Sequence, residues 1–218
     1  MTSCEKKTGA RRSMHLYALL TEAHCRRGWL ETAEGLLEGG VDVIQLREKD
    51  LEGGELLERA RALRRLTARC GALFVMNDRP DVALLCGADG VHLGQDDLPP
   101  EEVRELVGPE MIIGLSAHSV AQARRAEGRG ADYIGVGPVF PTRTKGYQSG
   151  GGLDFVRELC SATSLPSVAI GGITPARAGE IIGAGASAVA ACSALCGAEN
   201  AAAAAREFRQ SIEETSHP

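Results

Sequence analysis

GVDVI at residues 40–44 returns as GADGV at 87–91, GADYI at 130–134 and GASAV at 185–189, at spacings of 47, 43 and 55 residues. Each copy leads into a short apolar run. A period near 50 residues is the length of two strand–helix units, so the pattern reads as a (βα)2 block used four times. The runs entered by these copies are DVIQL (42–46), GVHL (90–93), YIGVG (133–137) and SAVAA (187–191). Between them lie MHLYALL (14–20), ALFVM (72–76), MIIGL (111–115) and PSVAI (166–170), which brings the strand candidates to eight. The runs show little polar alternation, as strands covered on both faces of a parallel sheet should.

Amphipathic stretches fill the gaps. EGGELLERARALRRLTARC (52–70) and PPEEVRELVG (99–108) carry helical spacing, with Pro opening and Gly closing the second. Eight strands alternating with helices in a chain of 218 residues match a small (β/α)8 TIM barrel forming a single domain. A doubly wound open sheet is the rival, and the Gly-x-Gly-x-x-Gly turn expected after its first strand is missing. The barrel is placed at 14–213, after a charged leader at 1–13 read as disordered and before a tail at 214–218.

Composition removes several classes of function. A net charge of -5 and an aromatic content of 4% leave neither a basic stripe for a phosphodiester backbone nor a stacking platform, so no nucleic-acid partner is expected. No apolar stretch is long enough to span a bilayer, so no membrane partner is expected either. Seven cysteines, an odd number without a Cys-x-x-Cys pair, point to reduced thiols and a cytoplasmic setting.

In a barrel of this kind the chemistry sits in loops at the carboxyl ends of the strands. Gln45, Arg47 and Lys49 leave the second strand at alternate positions, so in extended chain they share one face and form a cationic shelf, with Glu48 and Asp50 on the other. Asn77 and Asp78 follow the third strand, and Gln95, Asp96 and Asp97 follow the fourth. Adjacent strands lie about 5 Å apart, which brings Asp78 within reach of Asp96 or Asp97. Such a pair suits Mg2+. Each Asp taken alone also suits a turn or helix cap, Asp78 especially, two residues before Pro80.

The stretch GVGPVFPTRTKGYQSGGG (135–152) is a long connection after the sixth strand, and loops of that length in a compact domain tend to be functional. Thr142, Thr144 and Lys145 supply two hydroxyls and an ammonium, and the glycines let main chain approach an anion. Gly171-Gly172 after the seventh strand and Cys192-Ser193 after the eighth stand where this fold binds phosphate, though close packing also explains paired glycines. Ser116 follows the fifth strand and points into the mouth. No Asp–His pairing accompanies it, so a hydrolase triad has no support. His118 reads as a helix cap or a site residue. His92, within the fourth strand, reads equally as an interior hydrogen-bonded residue or a functional one.

QLREK (45–49), NDR (77–79), GVHLGQDD (90–97), GLSAH (114–118), DYIGVGPVFPTRTK (132–145), IGGI (170–173) and Cys192-Ser193 resemble, in order, the motifs of the thiamine phosphate synthase family. That family joins an aminopyrimidine diphosphate to the ring nitrogen of a thiazole phosphate and releases pyrophosphate. The resemblance implies that Gln45, Leu46, Arg47, Glu48 and Lys49, with Asn77, Ser116 and Lys145, hold the pyrimidine diphosphate. Arg47, Lys145 and Ser116 would stand nearest the reacting bond. Asp78 and Asp97 would ligate Mg2+. Thr142 and Thr144 would meet the thiazole phosphate together with Gly172, Cys192 and Ser193, and Arg143 falls among the substrate-binding residues of the same segment. The partners implied are these two small molecules, and the choice between monomer and homo-oligomer is left open.

Two positions depart from the family pattern. Cys192 stands where an aliphatic residue is usual, and Asp96 where Gln-Glu-Asp is usual. A thiazole tautomerase of the same fold would need neither the QLREK shelf nor the two acids, and a phosphate-ligand sensor without chemistry is the rival from another class.

Overall fold

A computed structural model describes residues 14–142 and 148–216; the leader assigned to 1–13 lies outside them. The strands are β1 (Leu16–Leu20), β2 (Val43–Leu46), β3 (Leu73–Asn77), β4 (Gly90–Leu93), β5 (Ile112–Ala117), β6 (Tyr133–Val136), β7 (Ser167–Ile170) and β8 (Ala188–Ala191). All neighbours are parallel, and β8 closes on β1. The helices are α1 (Trp29–Glu38), α2 (Gly53–Cys70), α3 (Pro80–Cys86), α4 (Pro100–Val107), α5 (Val120–Ala126), α6 (Gly152–Ser161), α7 (Pro175–Gly183), α8 (Ser193–Cys196) and α9 (Ala201–Ser216). The expected (β/α)8 barrel is thus formed, with a short extra helix after β8. The segment read as a tail from 214 is helical through Ser216.

Local chemistry sets the boundaries. Prolines open α3 and α4, where the missing N–H costs nothing. Gly71 ends α2 in the left-handed conformation with φ 71°, its N–H donating to Thr67 O, the backbone state a side chain would resist.

Alternation along each strand divides the apolar residues between two layers. Tyr17, Val43, Val75, Tyr133, Val168, Ala188 and Ala190 pack against one another inside the barrel. Leu16, Ala18, Leu20, Ile44, Leu46, Phe74 and Met76 point outward and join the helices in the larger core.

The fourfold sequence repeat has a structural cause. Asp42, immediately before β2, accepts hydrogen bonds from the N–H groups of His15 and Leu16 at the start of β1, both at 2.9 Å. Asp89 does the same for Phe74 of β3 (2.9 Å) and Asp132 for Ile113 of β5 (2.9 Å). Ser187 takes the equivalent place before β8, its hydroxyl accepting from Ser167 N at 3.2 Å. Each Asp also holds an arginine from the helix layer: Arg209, Arg64 and Arg104. In three of the four blocks a carboxylate at the floor satisfies early amides of the odd strand and ties the helix to it. We expect Asp132→Ala to cost about 1.5–3 kcal/mol, the range for hydrogen bonds to a charged group. Denaturant midpoints should fall while turnover of the remaining folded protein stays normal; an unchanged midpoint would remove the repeat's structural role.

Candidate active site

At the carboxyl ends of the strands, the inward positions that carry apolar residues or glycine deeper in the barrel change to Gln45, Asn77, His92 and Ser116. They line a cavity of about 310 Å³ whose other wall comes from loops β6, β7 and β8. A mostly apolar hollow with a few convergent polar groups is the form a small-molecule site takes.

The exit of β2 sorts its five residues by alternation. Gln45 is buried and points inward, its amide nitrogen donating to Tyr17 Oη at 2.7 Å. Leu46 packs outward in the helix-side core. Arg47 is half-buried, its N–H held by Leu20 O at 2.9 Å. Glu48 turns toward the β1 loop, where its carboxylate accepts from Glu22 N (2.6 Å) and from Thr21 Oγ1 (3.3 Å) and lies 3.9 Å from Arg59. Lys49 is exposed, with its ammonium 3.5 Å from Asp78 Oδ2. The Leu46 side chain thus belongs to the core and the Glu48 side chain braces the β1 loop, while the main chain of both runs along the exit of β2.

Asp78 sits at the end of β3 with φ 60°, a left-handed conformation that Asn and Asp tolerate better than other side-chain-bearing residues. Its N–H donates to His92 O at 2.9 Å, which fixes the turn against β4. Burial raises the Asp78 carboxyl above its ordinary range, and the nearby Asp97 carboxylate raises it further, against a smaller opposing effect from Lys49. Asp97 Oδ2 accepts from Gly94 N at 2.6 Å. Of the two acids after β4, then, Asp97 faces Asp78. Neither Asp78 nor Asp97 caps a helix, because the N-cap positions are Arg79 for α3 and Pro99 for α4, while both lie in turns. Among the described residues no group of three metal-binding side chains forms; the pair of hard oxygen donors is what a divalent ion that keeps waters and shares phosphate oxygens requires.

Across the cavity, Gly171 (φ 109°) and Gly172 (φ 61°) turn back under the β6 loop. Val139 N donates to Ile170 O (3.0 Å) and Phe140 N to Gly171 O (2.9 Å). A Cβ at Gly172 would lie 2.5 Å from Pro141 O and 2.9 Å from Phe140 Cβ. The loops are closely packed, and the main chain of Gly171 and Gly172 also lines the cavity. Cys192, Ser193 and Thr142 also line it. Arg143, Thr144 and Lys145 lie outside the described residues.

Ser116 is buried and inward, as expected, and its hydroxyl lies 3.0 Å from His92 Nε2. His92 Nδ1 lies 2.9 Å from Tyr133 Oη, and Tyr133 Oη lies 3.1 Å from Tyr17 Oη. A single hydrogen-bonded chain thus crosses the barrel from Gln45 on β2 to Ser116 on β5. Burial holds both phenols in their protonated form. The ring hydrogen bonds of His92 given by the structure go to Tyr133 and Ser116, an arrangement without the Asp–His pairing of a hydrolase triad. Tyr17 and Tyr133 were not singled out in the sequence; two tyrosines at inward positions of a chain with so few aromatics were the available signal. His118 reaches the β6 loop through Nδ1 and Gly137 O at 2.6 Å, while Ser119 caps α5 by accepting from Gln122 N.

A family model described as thiamine monophosphate synthase matches residues 16–195. The thiamine-phosphate synthase of Moorella thermoacetica is 49% identical over 187 residues, covering 85% of this chain and 89% of that protein. That of Methanoculleus marisnigri is 51% identical over 175 residues, covering 80% and 83%. Among solved structures, thiamine phosphate pyrophosphorylase from Pyrococcus furiosus superposes with a TM-score of 0.87 at 40% identity, over 94% of this chain and 98% of that one. A 3-hexulose-6-phosphate synthase at 21% identity and TM-score 0.72 shares the fold alone.

Proposed function

The chain belongs to the thiamine monophosphate synthase family and is a transferase, and from that premise we propose how its cavity joins an aminopyrimidine diphosphate to a thiazole phosphate with release of pyrophosphate. One observation carries the reading: a single hollow runs from Gln45 and Asn77, beside the Asp78–Asp97 pair, to the Gly171-Gly172 and Cys192-Ser193 main chain. Two phosphate-bearing substrates fit its two ends, with the reacting carbon and nitrogen between them.

The diphosphate belongs at the β2–β4 rim. The Asp78 and Asp97 carboxylates fit Mg2+, a hard ion that takes one or two carboxylates and would there offset pyrophosphate charge. The C–O bond breaks with its electron pair going to the departing pyrophosphate. The growing charge meets Arg47, Lys49 and Lys145, cations whose attraction is larger in the transition state than in the bound substrate. The electron-rich aminopyrimidine carries the resulting methylene cation until the thiazole nitrogen donates its lone pair and forms the C–N bond. Atoms and charge balance without an enzyme nucleophile or a proton transfer. Gln45, Asn77 and Ser116 orient the pyrimidine, and the β7 and β8 main chain, with Thr142 and Thr144, holds the thiazole phosphate.

The six described cysteines are free thiols, which supports a reducing, cytoplasmic setting, and no helix among the described residues is long and apolar enough to cross a membrane. The test is a coupled assay for pyrophosphate with each substrate alone and both together, with and without Mg2+. Release that needs both substrates and the ion is expected. Conversion of the thiazole phosphate alone, without metal, would favour a tautomerase, and binding without product a sensor.

Gly172→Ala should act on one substrate only. The left-handed φ and the clash with Pro141 and Phe140 cost of the order of 1–3 kcal/mol, so KM for the thiazole phosphate should rise about tenfold or more while KM for the diphosphate holds. Equal effects on both would place the glycine outside the phosphate subsite.

A further inference from the structure

We propose that the buried chain from Gln45 through Tyr17, Tyr133 and His92 fixes His92 as the neutral Nε2–H tautomer and thereby makes Ser116 a hydrogen-bond donor to the pyrimidine ring, with Tyr17, Tyr133 and His92 as positioning residues. The proposal rests on the reading of this end of the cavity as the pyrimidine site.

The sense of the chain follows from proton counting. Gln45 Nε2 donates to Tyr17 Oη, and the buried phenolic proton of Tyr17 finds its acceptor among the described residues in Tyr133 Oη. Tyr133 in turn directs its only proton to His92 Nδ1. A ring nitrogen that accepts carries no hydrogen, so the ring is neutral and its proton is on Nε2. Nε2–H then donates to Ser116 Oγ, and the serine proton remains for a ligand in the cavity, where a pyrimidine ring nitrogen is the matching acceptor. The opposite sense would make Tyr17 Oη accept twice and leave its own buried proton without a described acceptor, a cost of about 1–3 kcal/mol. A neutral relay also places no positive charge beneath a ring that must itself become cationic.

A second observation is independent of the hydrogen bonds. A Cβ at Gly114 on β5 would lie 2.1 Å from Tyr133 Cζ, 2.4 Å from its hydroxyl and 2.5 Å from His92 Nδ1. A Cβ at Gly135 on β6 would lie 3.0 Å from His92 Cε1. Two inward strand positions thus lack side chains where the Tyr133–His92 contact sits, in a fold whose interior is ordinarily filled by branched apolar residues. The space is shaped around a polar contact rather than around packing.

The full-length protein, labelled with 15N-histidine, tests the assignment directly. The signal lost in His92→Gln identifies the residue, and its two-bond 1H–15N pattern at neutral pH should show Nδ1 bare and Nε2 protonated. A protonated Nδ1, in either the other tautomer or the imidazolium, would overturn the proposal. In Tyr133→Phe the tautomer preference should relax, and kcat/KM for the pyrimidine diphosphate should fall about tenfold with KM for the thiazole phosphate unchanged. Tyr17→Phe, one step further along, should act in the same direction and serves if Tyr133→Phe does not fold. A folded variant with an unaltered His92 spectrum and unaltered pyrimidine kinetics contradicts the relay, whereas pyrophosphate release by the unaltered enzyme reports separately on the transferase reading.

Discussion

Asp78→Asn is expected to lower turnover by on the order of a hundredfold or more, the scale seen when one preorganised electrostatic group is removed from an active site, without loss of stability in the metal-free protein. Asn keeps the size of the side chain and tolerates the φ of 60° at this position, so the backbone turn and its bond to His92 O survive. What disappears is one of two facing carboxylates. The stability effect has a definite sign. A carboxyl whose folded-state pKa lies above its unfolded value favours the fold only while protonated; that contribution is present at acid pH and lost as pH rises through the raised value. The raised Asp78 is therefore a liability at neutral pH, and Asp78→Asn should melt at the same temperature as the parent or slightly higher. The difference should close on acidification. Mg2+ should raise the melting temperature of the parent and leave the variant unmoved. A variant less stable than the parent at neutral pH, or one that keeps its turnover, would show that the pair has another purpose.

Lys145→Ala should lose activity on a similar scale, again on the order of a hundredfold, by a different route. Lys145 falls in the sequence between β6 and α6, outside the described residues, and stability is expected to be untouched. The loss should fall mainly on kcat, because a cation that meets leaving-group charge contributes more as that charge grows. Presteady-state measurement of pyrophosphate release separates this from slow product departure. Near-normal turnover would remove Lys145 from the chemistry.

Much of this was legible before any coordinates, for physical reasons that differ from element to element. Parallel strands covered on both faces are unbroken apolar runs, so β4 and the starts and ends of its neighbours could be read to within about two residues. Asp78 and Asp97 were legible as partners because strand adjacency in a barrel follows chain order once the fold is known. The role of the repeated Asp42, Asp89 and Asp132 was not, since a carboxylate that caps amides of the preceding strand leaves only a recurring letter. The relay was hidden for a stronger reason. Tyr17 and Tyr133 are 116 residues apart and His92 lies 41 from Tyr133, so no local pattern links them. At β2 the alternation rule placed Gln45, Arg47 and Lys49 on one face and set Glu48 on the other, where it binds the β1 loop.

The central claim is that Asp78 and Asp97 serve one divalent ion beside a departing pyrophosphate. Crystals grown with Mn2+ and pyrophosphate, measured at the manganese edge, test it most directly. One anomalous peak touching both carboxylates is expected, with pyrophosphate on the side of Arg47 and Lys49. A peak elsewhere, or pyrophosphate seated only on the Gly171-Gly172 and Ser193 rim, contradicts it.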